Sequence, residues 1–260
     1  MDDPARLGAN YSPQLMELLQ EEPRRVDFLK LSREETVEED VGAAGERTFL
    51  LHWNLTLGQR PDWERWLPWL RRFEVPWVNI HFIGRDARPQ RDIVAELSAL
   101  VQATGEHLGM ETAVLVENAP YYGELLPGRC NREFARLDFL RDCAEAAGAR
   151  ILLDLAHARV SAATLGVDVR EHIRPLQGAQ VVEIHTTGPA PDPDRGFLRD
   201  RHLEMGEADY DLLRFALPVH RPRAVTLEYG GTGPKFVWRS DKLALKRQLR
   251  CLRGLLCSVG

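Results

Sequence analysis

Imidazoles and carboxylates recur at one kind of place in this chain, at or just past the end of short apolar runs that read as β-strands. The runs are FLLHWNL with His52, WVNIHF with His81, AVLVEN with Glu117, RILLDLAHA with Asp154 and His157, VVEIHTT with Glu183 and His185, and AVTLEYG with Glu228. The segment DRH, read as part of a long loop, adds Asp200 and His202. Imidazole nitrogen with carboxylate oxygen suits zinc, iron or manganese. Taken singly, such a His is more often a hydrogen-bonded structural residue and such an Asp a helix N-cap. Taken together they need another account, because burying so many ionisable groups without counter-charge is costly and cations offset that cost. The expectation is one site for two or three metal ions. Asp154-x-x-His157 would present two ligands where a strand turns into its loop, and Asp200-x-His202 two on one side of an extended segment. Glu117 and Asp154 each have two oxygens with which to bridge ions. Such a set could polarise a substrate, generate hydroxide or activate dioxygen.

The elements that must position these residues alternate from end to end. A strand at RLGANYS precedes the helix PQLMELLQEE opened by Pro13, and VDFLKLS is the second strand. The acidic stretch EETVEEDVGAAGE predicts a short helix or none. PDWERWLPWLRRF, with a kink expected at Pro68, follows the third strand, and RDIVAELSALVQATGEHLG follows the fourth. REFARLDFLRDCAEAAG, ending at Gly148, follows the fifth, and helical stretches near SAATLG and VREHIRPL follow the sixth. A long loop GPAPDPDRGFLRDRHLEMGE and the helix ADYDLLRFAL lead to the eighth strand, and KLALKRQLRCLRGLLCSV closes the chain. Eight apolar strands alternating with helices over 260 residues predict an α/β protein with one domain over residues 1–260, a (β/α)8 TIM barrel. A doubly wound open sheet is the alternative, but GANYSP lacks the glycine-rich turn it would need. In a barrel all strand C-termini lie on one face, and side chains of one parity point inward. His52 shares parity with Leu50, Glu117 with Leu115, Asp154 with Leu152, His185 with Glu183, and Glu228 with Thr226. Residues far apart in sequence therefore meet at the C-terminal mouth.

Composition excludes several classes of function. Net charge is −5, so no global basic surface for nucleic acid exists, and nucleic acid is not an expected partner. No run of 18 apolar residues predicts a membrane span. The opening MDDPARLGANYS lacks the basic-then-apolar order of a signal peptide. Cys130, Cys143, Cys251 and Cys257 show no CxxC spacing and read as reduced thiols. The expected location is the cytoplasm.

At the site residues the chain resembles two related groups of barrels. The endonuclease IV and xylose isomerase-like superfamily has a pattern of nine ligands for three metals. Its counterparts here, in order, are His52, His81, Glu117, Asp154, His157, His185, Asp200, His202 and Glu228, and DRHLEMGEADY is similar to that group's DRHxxxGEG. The second group is the multinuclear non-haem iron oxygenases that oxidatively modify ribosomally made peptides, often at cysteine. FLLHWNLTLGQ is similar to their HGxxLSLGS, VENAPYY to ENxSxY, and VVEIHTTGP to xxEIHLAGH. The run FLRDCAEAAGARILLDLAHARVSAATLGVDVREHI follows theirs in spacing as well as in ligands. The sequence departs from them at DLAH, where His157 replaces an Asn, at LEYG in place of IERD, and at DRHLEMGEA in place of DTHxxPV.

The resemblance implies an iron-dependent oxygenase acting on a peptide or small molecule, sometimes with a partner protein. Iron is favoured, with zinc or manganese also fitting. Glu117, Asp154 and Glu228 would be its catalytic carboxylates. Asn118, Tyr121, Tyr122, Arg201 and Tyr229 would line the mouth and orient substrate, or else simply pack the loops. Other chemistries fit the same residues. One is a zinc- or manganese-dependent phosphodiesterase, for which Arg195, Arg199 and Arg201 form a small basic cluster near the site. Another is a sugar isomerase, with a phosphate held by GGTGPK. A third is a metal-dependent partner-binding subunit docking through the basic last helix.

Overall fold

Short strands that are apolar on both faces, each followed by a helix apolar on one, are the ingredients of a barrel of parallel strands inside a ring of helices. The computed structural model of the protein describes residues 5–31, 47–109, 112–231 and 240–259. Within them the chain runs β1 (Arg6–Asn10), α1 (Pro13–Glu21), β2 (Phe28–Leu31), β3 (Phe49–Leu51), α2 (Trp63–Arg72), β4 (Trp77–Phe82), α3 (Gln90–Leu108) and β5 (Ala113–Asn118). It continues with α4 (Leu137–Ala147), β6 (Arg150–Asp154), α5 (Leu155–Leu165), α6 (Val169–Ile173), β7 (Val181–Thr186), β8 (Gly188–Pro191), β9 (Leu198–Leu203), α7 (Glu207–His220), β10 (Ala224–Leu227) and α8 (Lys242–Val259). Local chemistry sets the ends. Ser12 caps α1 by accepting from the Leu15 amide, with Pro13 in the first turn, and Gly148 closes α4 at φ 72°, a left-handed conformation that glycine adopts without strain.

Eight strands form one parallel sheet in the order β3-β2-β1-β10-β7-β6-β5-β4. Its two ends meet just beyond β3. The Leu55 carbonyl accepts from the His81 amide at 2.9 Å, Thr56 bridges to His81 in parallel fashion, and the Asn79 side-chain oxygen accepts from the Trp53 amide at 3.2 Å. The (β/α)8 barrel expected from the sequence is therefore the fold. Its inner layers and the sheet–helix interface are filled by Leu7, Leu29, Leu50, Leu115, Leu152, Ile184 and Leu227, all buried.

Two local expectations are corrected. The segment read as a long loop after β7 holds an antiparallel hairpin, β8 with β9, so Asp200 and His202 stand on a strand. That strand is not extended throughout, because His202 has φ 49°, in the left-handed region. The chain also passes from β6 into α5 with no loop between, which puts His157 in the first turn of a helix. The helix at PDWERWLPWLRRF continues through Pro68. The acidic segment EETVEEDVGAAGE and the GGTGPK segment beyond Gly231 lie outside the described residues. No described helix is long and apolar enough to cross a membrane.

One buried group away from the mouth carries a prediction. His220, the last residue of α7, is buried and neither of its ring nitrogens has a hydrogen-bond partner, so burial pushes its pKa down to about 4. Unfolded, it titrates near 6.5. Between these values the unfolded chain binds more protons, so this contribution is at its best above about pH 6.5 and is lost as pH falls toward 4. Urea unfolding of wild type and His220→Leu should diverge below about pH 6, wild type losing on the order of 2 kcal/mol more. Parallel pH profiles would refute the assignment.

Candidate metal centre

The nine residues singled out in the sequence meet at the C-terminal mouth, where the ends of six strands, the first turn of α5 and the β8–β9 hairpin deliver them. Glu117 is the hub. Its Oε2 lies 2.9 Å from His52 Nε2 and 3.6 Å from His81 Nε2, and its Oε1 lies 3.8 Å from His157 Nδ1 and 3.7 Å from His185 Nδ1. Glu228 Oε1 is 3.2 Å from His185 Nδ1 and 3.7 Å from His52 Nδ1. Asp200 Oδ2 sits between His202 Nε2 at 2.8 Å and His157 Nε2 at 3.4 Å. Three triads of these residues have donor atoms close enough for one ion each: His52, Glu117 and His185; Glu117, Asp154 and His157; Asp154, His185 and Glu228. Glu117, Asp154 and His185 are each shared by two triads. His81, Asp200 and His202 stand outside the triads, at the distances given.

The histidines are oriented in a way that suits ligation. A backbone carbonyl can only accept, so a ring nitrogen facing one carries the proton and the other nitrogen offers a lone pair. His81 Nδ1 faces the Leu55 carbonyl at 3.2 Å, His157 Nδ1 the Asn118 carbonyl at 2.8 Å, and His202 Nδ1 the Glu228 carbonyl at 3.0 Å. Each thereby turns Nε2 toward a carboxylate of the cluster, as metal-binding histidines do when a second group fixes the ring. His185 is reversed, with Nε2 3.1 Å from Glu183 Oε1 and Nδ1 directed into the cluster.

Buried Glu117 Oε1, Asp154 Oδ2, Asp200 Oδ1 and His185 Nδ1 have no hydrogen-bond partner. Unpaired buried acceptors beside imidazole lone pairs are the donor set a divalent ion satisfies, so the residues fit metal ions. Electrostatics agree. Burial pushes the Asp154 carboxyl up to about 7, against the pull of His157 and with help from Glu228, Asp200 and Glu117. Burial also raises Glu117, Asp200 and Glu228, but the neighbouring imidazoles outweigh it and hold all three well below the usual carboxylate range. His157 and His185 are held well above the ordinary imidazole value, the carboxylates around them overcoming burial, whereas burial prevails at His81 and lowers it. Protons on His157 and His185 thus supply positive charge of the kind an ion would supply, and an ion bound there would displace them.

Asp154 has two roles. Its Oδ1 caps α5 by accepting from the His157 amide at 2.7 Å, leaving Oδ2 for the cluster. Of the residues expected to meet substrate, Tyr122 lines a cleft beside the cluster and its hydroxyl accepts from the Asp200 amide at 3.3 Å. Tyr121 is half-buried with its amide bonded to Ser161 Oγ, and Arg201 is half-buried on β9. Asn118 and Tyr229 are committed to backbone instead. Asn118 is doubly bonded to the Asp154 main chain at 2.8 and 2.9 Å, and the Tyr229 hydroxyl accepts from the Asp241 amide at the start of α8. Sequence reasoning missed Lys30, Trp77 and Asn79. Asn79 Nδ2 donates to Glu117 Oε2 at 2.9 Å and so aims the hub. The signal was present, since Asn79 lies two residues before His81 on the inward parity and a lysine inside VDFLKLS needs a buried partner.

A family model described as RiPP precursor modification enzyme MbnB/TglH/ChrH matches residues 89–246, more than half of the chain. The chain belongs to the MbnB/TglH/ChrH family. The matched stretch runs from the start of α3 into α8 and carries every cluster residue from Glu117 to Glu228, Asp200 and His202 on the hairpin included. His52 and His81 enter from outside it. A UPF0276 protein of Bordetella pertussis is 26 % identical, over 89 % of this chain and 88 % of that one. Among solved structures, a xylose isomerase domain protein from Alicyclobacillus acidocaldarius aligns with a TM-score of 0.58 at 18 % identity, covering 97 % of this chain and 98 % of that one. Endonuclease IV from Thermus thermophilus aligns with a TM-score of 0.52 at 18 % identity, covering 97 % and 99 %. At these identities the two structures speak for the fold alone, and membership of the MbnB/TglH/ChrH family rests on the matched residues.

Proposed function

We propose that the chain is a multinuclear iron-dependent oxygenase-like enzyme that oxidatively modifies a ribosomally made peptide. The observation that carries this reading is the cluster of five imidazoles and four carboxylates, six of the nine residues buried, at the mouth of a barrel in a peptide-modifying family. Four ionised carboxylates, Glu117, Asp154, Asp200 and Glu228, carry −4 together, which two divalent ions neutralise; a third would sit with exogenous anions. Bound ferrous iron on histidine and carboxylate ligands with open positions would supply dioxygen chemistry. Glu117, Asp154 and Glu228 would hold the ions through carboxylate oxygens, Asp154 through the Oδ2 that the helix cap leaves free, and His52, His81, His157, His185, Asp200 and His202 would complete the set.

The substrate would approach along the cleft of about 610 Å³ built by the loops after β3, β4 and β5. Thr56, Ile83, Arg85, Tyr122, Arg129 and Cys130 are among the residues lining it. Arg85 and Arg129 on its lining would favour an acidic or carboxylate-bearing peptide segment. The thiol of Cys130 is pushed up to about 11 by burial, which keeps it protonated and a poor rival to a substrate thiolate. A partner protein that presents the peptide fits this reading, as does a cytoplasmic setting.

One observation favours a second reading. His157, which stands where the oxygenases have Asn, lies within the cluster at 3.4 Å from Asp200 and completes the nine-residue pattern resembling endonuclease IV, so a zinc or manganese phosphodiesterase is the alternative. Element analysis of protein purified without added metal separates them. The proposal expects two or more irons per chain and an absorbance change on exposure to oxygen. Tightly bound zinc, no oxygen consumption and cleavage of a phosphodiester would replace it with the hydrolase.

A further inference from the structure

One layer below the cluster the barrel holds a buried ion pair. Lys30 on β2 and Glu183 on β7 are both fully buried, and Lys30 Nζ lies 2.8 Å from each oxygen of the Glu183 carboxylate. In the sheet the two strands are separated by β1 and β10, so the contact crosses the barrel interior. Trp77 Nε1 donates to Glu183 Oε2 at 2.8 Å and Thr226 Oγ1 to Oε1 at 2.6 Å. His185 Nε2 is the remaining neighbour, at 3.1 Å from Oε1. Burying two charges is expensive, and replacing a buried pair by apolar side chains of similar volume is often neutral or stabilising, so the pair is weak evidence for a stabilising role. Its place against His185, directly beneath the cluster, points to positioning instead.

We propose that Lys30 and Glu183 are positioning residues of the metal centre, which fix His185 with its Nε2–H on Glu183 and its Nδ1 lone pair turned to the ions. An ionised carboxylate only accepts, so the His185 nitrogen that faces Glu183 must be the protonated one. The other nitrogen points between Glu117 Oε1 at 3.7 Å and Glu228 Oε1 at 3.2 Å and is hydrogen-bonded to neither. His185 also belongs to two of the three candidate triads, so its ring orientation bears on more than one ion. His81, His157 and His202 are oriented by backbone carbonyls, which no substitution removes; His185 is oriented by a side chain. Lys30 gives Glu183 its fixed role. Held on both oxygens by Lys30, and by Trp77 and Thr226, the carboxylate cannot turn upward and compete for an ion, and it adds no uncompensated negative charge beneath the site. The inference rests on the metal-binding part of the proposed function and is independent of its redox and peptide parts.

Two neutral double variants separate positioning from folding. Lys30→Met with Glu183→Leu removes the acceptor, and Lys30→Met with Glu183→Gln keeps a side-chain oxygen for His185 Nε2–H. The probe is cobalt(II) alone, titrated into metal-free protein against a competing chelator, with thermal unfolding of the metal-free protein as the check on folding. The expected result is a fall in cobalt affinity of about 10- to 100-fold for the Leu variant, and an affinity near wild type for the Gln variant. Should the Leu variant fail to fold, wild-type protein with nitrogen-labelled histidine and an NMR-active cadmium isotope still decides. Coupling of cadmium to His185 Nδ1 supports the assignment and coupling to Nε2 overturns it. A folded Leu variant that binds cobalt as wild type does overturns the positioning role alone, whereas wild type that binds no cobalt overturns the metal reading itself.

Discussion

Glu117→Gln is expected to cost the centre at least one ion while leaving the barrel folded. Glu117 is within 3.8 Å of four imidazoles and belongs to two of the three candidate triads, so no other single carboxylate touches as much of the site. The amide also binds wrongly. Asn79 Nδ2 donates to Oε2, so the glutamine carbonyl takes that position and its NH2 falls where Oε1 was, facing His185 Nδ1. There it donates to the lone pair that the ion needs. Metal content per chain should fall by at least one ion, and turnover of the proposed peptide substrate by at least about a hundredfold, since even outer partners of metal ligands are worth 10- to 100-fold. Element analysis and peptide mass spectrometry on the same preparation measure both. A Glu117→Gln protein with the wild-type metal complement would remove Glu117 from the ligand set.

Much of this site was legible in the sequence because two physical regularities overlap in it. Parallel strands place all their C-termini on one face, and side chains alternate along each strand, so His52, Glu117, Asp154, His185 and Glu228 converge whatever the loops do. The parts that were not legible depend on contacts rather than on period. Whether Asp154 caps a helix or faces the cluster looks like a choice between two readings, yet its two oxygens do both, and this follows only from α5 starting at Leu155. His202 reaches Asp200 through a left-handed backbone that the DRH spacing does not announce. Asn118 and Tyr229 look like mouth residues by position, but the side-chain oxygen of each, and the Asn118 amide as well, is taken by backbone groups. Lys30 is the clearest case. A lone lysine in a strand buried on both faces has to find an anion, but its partner is 153 residues away across the barrel, and nothing local names it.

Asp154→Asn should move stability in opposite directions with and without metal. The Asp154 carboxyl is pushed up to about 7 by burial, against a value near 3.8 when exposed. Between these values the folded chain binds more protons than the unfolded one, so stability falls as pH rises through this window, and above about 7 the full cost of the buried charge is present. Asparagine carries no charge, and its side-chain oxygen can still accept from the His157 amide and cap α5. The metal-free variant is therefore expected to be more stable than metal-free wild type at about pH 8, since the net cost of the buried charge remains after the attraction to His157, with the difference vanishing toward about pH 4. Metal reverses the order. Wild type gains about 4 kcal/mol at a thousandfold excess of ion over its dissociation constant, and a variant that has lost a carboxylate shared by two triads gains much less. Thermal unfolding in chelator and in excess cobalt(II) gives both arms of the comparison. If Asp154→Asn shifts the midpoint in the same direction in both, Asp154 is a helix cap and not a ligand. A crossing identifies a residue whose cost in the empty fold is recovered only when the ion binds.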